Sequence, residues 1–379
     1  MIYLFNSAYR ITYLKNVLNI LSLPDNYINF VRYRFKDRIQ IHDSVLDNID
    51  MLKGQTIVFI FVDRFSESIV NDKPEKKYKF YPIRFGEYTT SAEENDQLQI
   101  YFKVKKFISV NDIDDFNDNL IKKLQDYNLL KLTNNDPKET NDGNYAIYIP
   151  NDNGTELGLN EAVNQDDAWD KITNQLKNTK VFHSSKEVFD EDEIIFPLFT
   201  KFRIKKIQDG REILANVNYS DNKDSNIELI SKENYRLYLT YFNPFSRKTE
   251  INLVTDSIIN HDFSKLKIES EKDTIYTPLR IETDGDVLNS KFAFFSENSY
   301  IFDKVVNLLI KSSMRNTIFF FTALFLYILV TALLGLDTKD FKPDEFIYNL
   351  TNPLIRIFLG ILSGLSIYTM FKLKGKNIF

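Results

Sequence analysis

The chain contains no cysteine, and that absence removes disulfides, thiolate nucleophiles and cysteine-ligated zinc together. Histidine is nearly as scarce. His42, His183 and His261 are far apart in sequence and lack the i, i+4 spacing of a helical metal pair. No G-x-x-x-x-G-K-[ST], G-x-G-x-x-G or G-x-S-x-G occurs, so the phosphate loops and the nucleophile elbow are missing too. The acidic clusters Asp112–Asp118 and Asp190–Glu193 read as solvated helix or turn positions. The sequence therefore predicts a non-enzymatic chain with no catalytic residue, no metal and no cofactor. Gly (11) and Pro (10) are also few in 379 residues, whereas Phe (32) and Tyr (21) are plentiful. That composition supplies a core and excludes disorder. A net charge of −5 excludes a generally basic nucleic-acid coat, though a local basic groove stays open.

Two long uncharged or nearly uncharged runs stand out at the C-terminal end. Asn316 to Leu336 reads NTIFFFTALFLYILVTALLGL, and as a helix it would be about 30 Å long, the thickness of a hydrocarbon layer. Leu354 to Phe371 carries one charge, Arg356, near its start. The expectation is a two-helix transmembrane hairpin; the alternative is a pair of buried core helices. Lys304, Lys311 and Arg315 precede the first run and Lys372, Lys374 and Lys376 follow the second, while the connecting loop is acidic. Positive charge on both flanks predicts a multi-pass inner-membrane protein with cytoplasmic N- and C-termini. The first residues show neither an apolar core nor a cleavage site, so no signal peptide is expected.

Ahead of the hairpin the pattern predicts an α+β cytoplasmic domain over 1–190. A β-rich sandwich or barrel of about seven strands follows over 191–298, then a juxtamembrane coupling helix over 299–315. The hairpin takes 316–371 and a short tail 372–379. In the first part, Ile2–Phe5 and TIVFIFV at 56–62 read as strands, and Ile11–Leu23 as a helix stopped by Pro24. Ser109 caps a helix whose stripe is Ile113, Phe116, Leu120, Ile121 and Leu124. In the second part, Asp209-Gly210, Asn243-Pro244 and Asp284-Gly285 separate short strands. Tyr300–Ser313 (YIFDKVVNLLIKSS) reads as an amphipathic helix, either transmitting movement to the hairpin or lying on the membrane surface.

Three predicted strands carry cations at period two. They are Arg32, Arg34, Lys36 and Arg38 in VRYRFKDR, Lys103 and Lys105, and Lys201, Arg203 and Lys205 in KFRIKK. Period two sends the cations to one face, which suits a polyanion or nucleotide phosphate; Arg32–Arg38 fit best because guanidinium binds phosphate bidentately. The competing reading is a solvated sheet face or a charge-protected edge. In the hairpin, Gly360 and Gly364 form a small-xxx-small motif that joins the two spans or joins subunits. Thr322 and Thr331 leave a thin polar trace. Arg356 is either a snorkelling anchor or a cationic ring at the mouth of an oligomer.

With the hairpin at 316–371 and the basic strands, notably VRYRFKDR at 31–38, the layout resembles two-span membrane effectors of bacterial anti-phage defence systems, Hailong effectors among them. The resemblance implies a homo-oligomeric channel, plausibly a tetramer, gated by a nucleotide or oligonucleotide and working with a partner protein encoded nearby. No family site residue is carried over. The alternatives are a non-conducting membrane-tethered scaffold and a membrane-anchored enzyme.

Overall fold

In the computed structural model, the described residues are 1–7, 11–34, 40–70, 73–126, 144–179, 198–219, 225–244, 248–262, 265–283, 288–296, 299–311, 321, 322 and 325. The first sheet is built from β1 (Ile2–Ser7), β2 (Ile28–Arg34), β3 (Thr56–Val70), β4 (Lys73–Glu94), β5 (Gln97–Ser109), β6 (Tyr145–Tyr148) and β7 (Asn160–Glu161). Its strand order is β2-β5-β4-β3-β1-β6, with β7 joined to β5. The apolar runs of β1 and β3 pair in parallel, Ile2 opposite Ile57 through Ser7 opposite Val62. Both strands are covered on both faces, which is why they read as continuous rather than alternating hydrophobic sequence. One face buries Tyr3, Phe5, Val58 and Ile60 under α3 (Ile113–Asp126) through Phe116, Leu120 and Leu124. The other buries Ile2, Leu4, Ile57 and Phe59 in a core shared with α1 (Ile11–Ser22) and α4 (Gln165–Lys177). The short α2 (Asp43–Leu46) is capped by His42, whose Nδ1 accepts from the Ser44 amide.

Local chemistry sets the turns. The acidic stretch around Glu93 lies mostly in β4. β4 runs through Glu94, and the chain reverses at Asn95 and Asp96, both at positive φ (49° and 60°), the geometry of a tight hairpin turn. Gly86 marks a close approach: a Cβ there would lie 2.8 Å from the Phe59 ring, itself packed on Phe102 at 4.4 Å between centroids.

Two further sheets follow. One joins β10 (Val217–Tyr219), β11 (Ser225–Ile230), β13 (Thr249–Thr255), β15 (Lys265–Ile268), β17 (Leu288–Ser296) and β18 (Ser299–Lys311) in the order β10-β11-β18-β17-β13-β15. The other joins β8 (Phe199–Gln208), β9 (Arg211–Leu214), β12 (Asn234–Phe242), β14 (Ile259–His261) and β16 (Lys272–Ile281) in the order β14-β16-β12-β8-β9. They pack face to face, with Phe202 of β8 against Phe292 and Phe294 of β17 at 5.8 and 6.3 Å. Helix α1 packs on β1, β8 and β18, so the core of the first sheet runs on into this pair.

This architecture corrects several expectations. The chain is mostly β, with 18 strands and four helices among the described residues, rather than an α+β region with a β-rich second half followed by a helical hairpin. The helix expected over 300–313 is strand β18. It pairs antiparallel with β17 and in parallel with β11, and its inward positions Lys304, Val306, Leu308 and Ile310 alternate as a strand requires. Among the described residues no helix is long and apolar enough to cross a membrane. Except for Phe321, Thr322 and Phe325, the expected spans lie outside the described residues. The transmembrane hairpin, the ion-channel reading and the multi-pass inner-membrane placement are therefore withdrawn.

Candidate functional site

Between the first sheet and the sheet pair lies a cleft of about 630 Å³, within the usual range of small-ligand sites. Its apolar floor includes Phe107, Phe202 and Ile204, and Leu214, which is 60% exposed, forms part of its lip. The charged lining is Arg84, Lys106, Lys201 and Arg203 against Asp25 and Asp166.

Each carboxylate is shared by two cations. Asp25, just beyond the C-terminal end of α1, accepts from Arg84 Nη2 at 2.6 Å and pairs with Lys106 at 2.8 Å. Asp166, in the first turn of α4, pairs with Lys201 at 2.5 Å and Arg203 at 3.2 Å. Burial would raise the Asp166 carboxyl, but these two cations hold it below the usual carboxylate range. Four cations face two carboxylates, which leaves an excess of two positive charges in one concave wall.

Arg84 serves architecture as much as charge. Its side chain is almost wholly buried, with its guanidinium 4.2 Å from the Phe107 ring centre. Nε donates to the Lys105 carbonyl at 2.5 Å, and Nη1 donates to the Ile20 and Leu23 carbonyls at 2.9 and 2.6 Å. Those two carbonyls belong to the end of α1, where acceptors have no partner within the helix, so Arg84 caps α1 and fixes it to the sheet. Burial lowers the guanidinium to about 10, with Asp25 opposing that shift. Lys201 lies between Asp166 and the face of Trp169, 4.9 Å from the ring centre.

The expected phosphate residues divide among four places. Lys201 and Arg203 come into the cleft. Lys205, on the same face of β8, pairs instead with Glu212 at 2.9 Å. Lys103 and Lys105 lie on β5 and do not line the cleft; Lys105 pairs with Glu87 at 2.7 Å and donates to Asn26 at its edge. Arg32 and Arg34 are exposed on β2, the edge strand of the first sheet; Arg32 lies over Phe30 at 4.9 Å. Lys36, Arg38, Thr331, Arg356, Gly360 and Gly364 lie outside the described residues, and Thr322 is described only as half-buried and helical.

Sequence reasoning missed Arg84, Lys106, Asp25 and Asp166. Arg84 had a readable signal, a lone charge in the apolar run Tyr81-Pro-Ile-Arg-Phe85. Asp25 and Asp166 had none, because each gains its role from a strand distant in sequence.

No protein-family model matches the chain, and no curated protein is similar to it. One similar solved structure is the crystal structure of the S-layer protein SbsC domains 4 and 5. It is 9% identical over 26% of this chain, with a TM-score of 0.16. The chain spans half the length of that structure, and a likeness at this level carries no argument.

Proposed function

We propose that the chain is a non-catalytic binding protein that takes a phosphate-bearing ligand of nucleotide size in the cleft between its first sheet and its sheet pair. The observation that supports this reading is the double positive excess of the cleft wall, provided by Arg84, Lys106, Lys201 and Arg203 around Asp25 and Asp166. A dianionic phosphate ester would neutralise that excess. Arg203 is the residue best placed to turn toward a ligand, since its side chain is 35% exposed and its contact with Asp166 is the longest of the four pairs. Charge-assisted hydrogen bonds of this kind contribute about 1.5–3 kcal/mol.

Titration calorimetry with adenosine monophosphate tests the reading. Arg203→Ala is expected to weaken binding by about tenfold or more, and to flatten its dependence on salt. Binding unchanged in Arg203→Ala but lost in the Arg32→Ala, Arg34→Ala double variant would move the site to the β2 edge. A specific feature favours that second reading for an oligonucleotide: among the described residues neither arginine is paired with a carboxylate.

A further inference from the structure

We propose that the cleft is a proton-coupled site for a dianion: a phosphate-bearing ligand entering it is accompanied by a proton, which Lys304 takes up behind Phe202. This rests on the reading of the cleft as an anion site, and the observations that add to it concern Lys304 itself.

Lys304 is 7% exposed, on the inward face of β18 with Val306, Leu308 and Ile310. Its amine has no hydrogen-bond or ion-pair partner among the described residues; its contact is the face of Phe202, 5.5 Å from the ring centre. A charged amine in such a place has no counter-ion and little water, an arrangement that favours the neutral form. Phe202 and Arg84 both line the cleft, so Lys304 stands one aromatic ring behind its wall. Burial, reinforced by the Arg84 charge, puts the Lys304 amine well below the ordinary ammonium range.

Of the other charged groups on elements packed against β18, Lys205 and Lys206 on β8 pair with Glu212 and Glu233. Glu228 on β11 pairs with Lys311 at 2.6 Å, and Lys291 on β17 is exposed. Lys15 on α1 is half-buried, and Lys201 and Arg203 on β8 hold Asp166. With the cleft empty, protonating Lys304 would add a further positive charge behind a wall that already has two in excess. A bound dianion cancels that excess, so charging the amine becomes easier. By linkage, whatever makes the proton bind more readily in the presence of the ligand makes the ligand bind more tightly in the presence of the proton.

Sulfate is the decisive probe, because its charge stays constant across the neutral range and any proton taken up must come to the protein. Calorimetric titration of the full chain near neutral pH, in two buffers of different ionisation enthalpy, counts those protons. The expected result is a buffer-dependent heat equivalent to a fraction of a proton, up to about one, per sulfate. Affinity should rise as pH falls. Lys304→Met and Lys304→Gln should both abolish the buffer dependence and the pH dependence, with thermal melting showing that each variant is folded. Equal heats in the two buffers, or proton uptake persisting in both variants, would overturn the coupling while leaving the cleft as an anion site. Failure of the wild-type chain to bind sulfate, inorganic phosphate or adenosine monophosphate would overturn the cleft reading and the coupling together. Tighter binding of adenosine monophosphate than of inorganic phosphate supports a nucleotide as the source of the dianion, and equal affinity supports the free anion.

Discussion

Replacing Arg84 by methionine tests the claim that one guanidinium both caps α1 and fixes it to the first sheet. The substitution keeps most of the apolar stem over Phe107 and removes the four donor contacts, to the Lys105, Ile20 and Leu23 carbonyls and to Asp25. Asp25 retains Lys106 and is one-third exposed, so its share of the loss is small. The α1 carbonyls lose a buried donor, and orphaned buried acceptors cost about 1–3 kcal/mol each without being fully additive. The expected net loss is about 3 kcal/mol, at the lower edge of what removing one partner from a buried charged network costs. Urea unfolding followed by fluorescence is well suited, since Trp169 is the one tryptophan and is fully buried in α4 beside the cleft. Repeating the change in a Lys304→Met background should give a similar loss, because a neutral Lys304 carries no charge for Arg84 to repel. A loss below about 1 kcal/mol in both backgrounds would refute the capping argument.

Two further substitutions probe other parts of the fold. Gly86→Ala should destabilise by about 1–3 kcal/mol in the same urea assay, because the added methyl meets the Phe59 ring at 2.8 Å and Phe102 blocks its retreat; a neutral or stabilising result would show that the ring yields. Glu212 on β9 accepts from Tyr238 Oη and pairs with Lys205 and Arg236, and these contacts hold its carboxyl down at about 2 from 4.5. A depressed carboxylate adds stability that is complete above its unfolded value and is lost as pH falls toward the folded one. Wild type should therefore melt above Glu212→Gln at neutral pH, and the two melting curves should converge between about pH 4.5 and 2; melting points that stay parallel across that window would sink the assignment.

Much of the first sheet was legible because its signals are local. TIVFIFV reads as a strand covered on both sides, and Pro24 ends α1 within two residues of where the helix stops. The Asp209-Gly210 pair also turns β8 into β9 as its composition implies. KFRIKK placed Lys201 and Arg203 on one face by its period alone.

What the local pattern left open was settled by partners. The apolar positions of VVNLLIK satisfy a helical stripe and a strand equally well over so short a run. β18 became a strand because β17 and β11 supply backbone hydrogen bonds on both its edges and a core for its inward side chains. That difference turns Lys304 from a solvated helix residue into a buried amine behind Phe202. The cleft depends on distance in the chain in the same way: Asp25 meets Arg84 across 59 residues and Asp166 meets Lys201 across 35. The sequence by itself determined that β1, β3 and β8 extend, where α1 stops and β8 turns into β9, and that cations line one face of β8. Only the tertiary structure decided which of those cations share a carboxylate and that the buried Lys304 amine has none among the described residues, because charge compensation is set by approach in space and not by spacing along the chain.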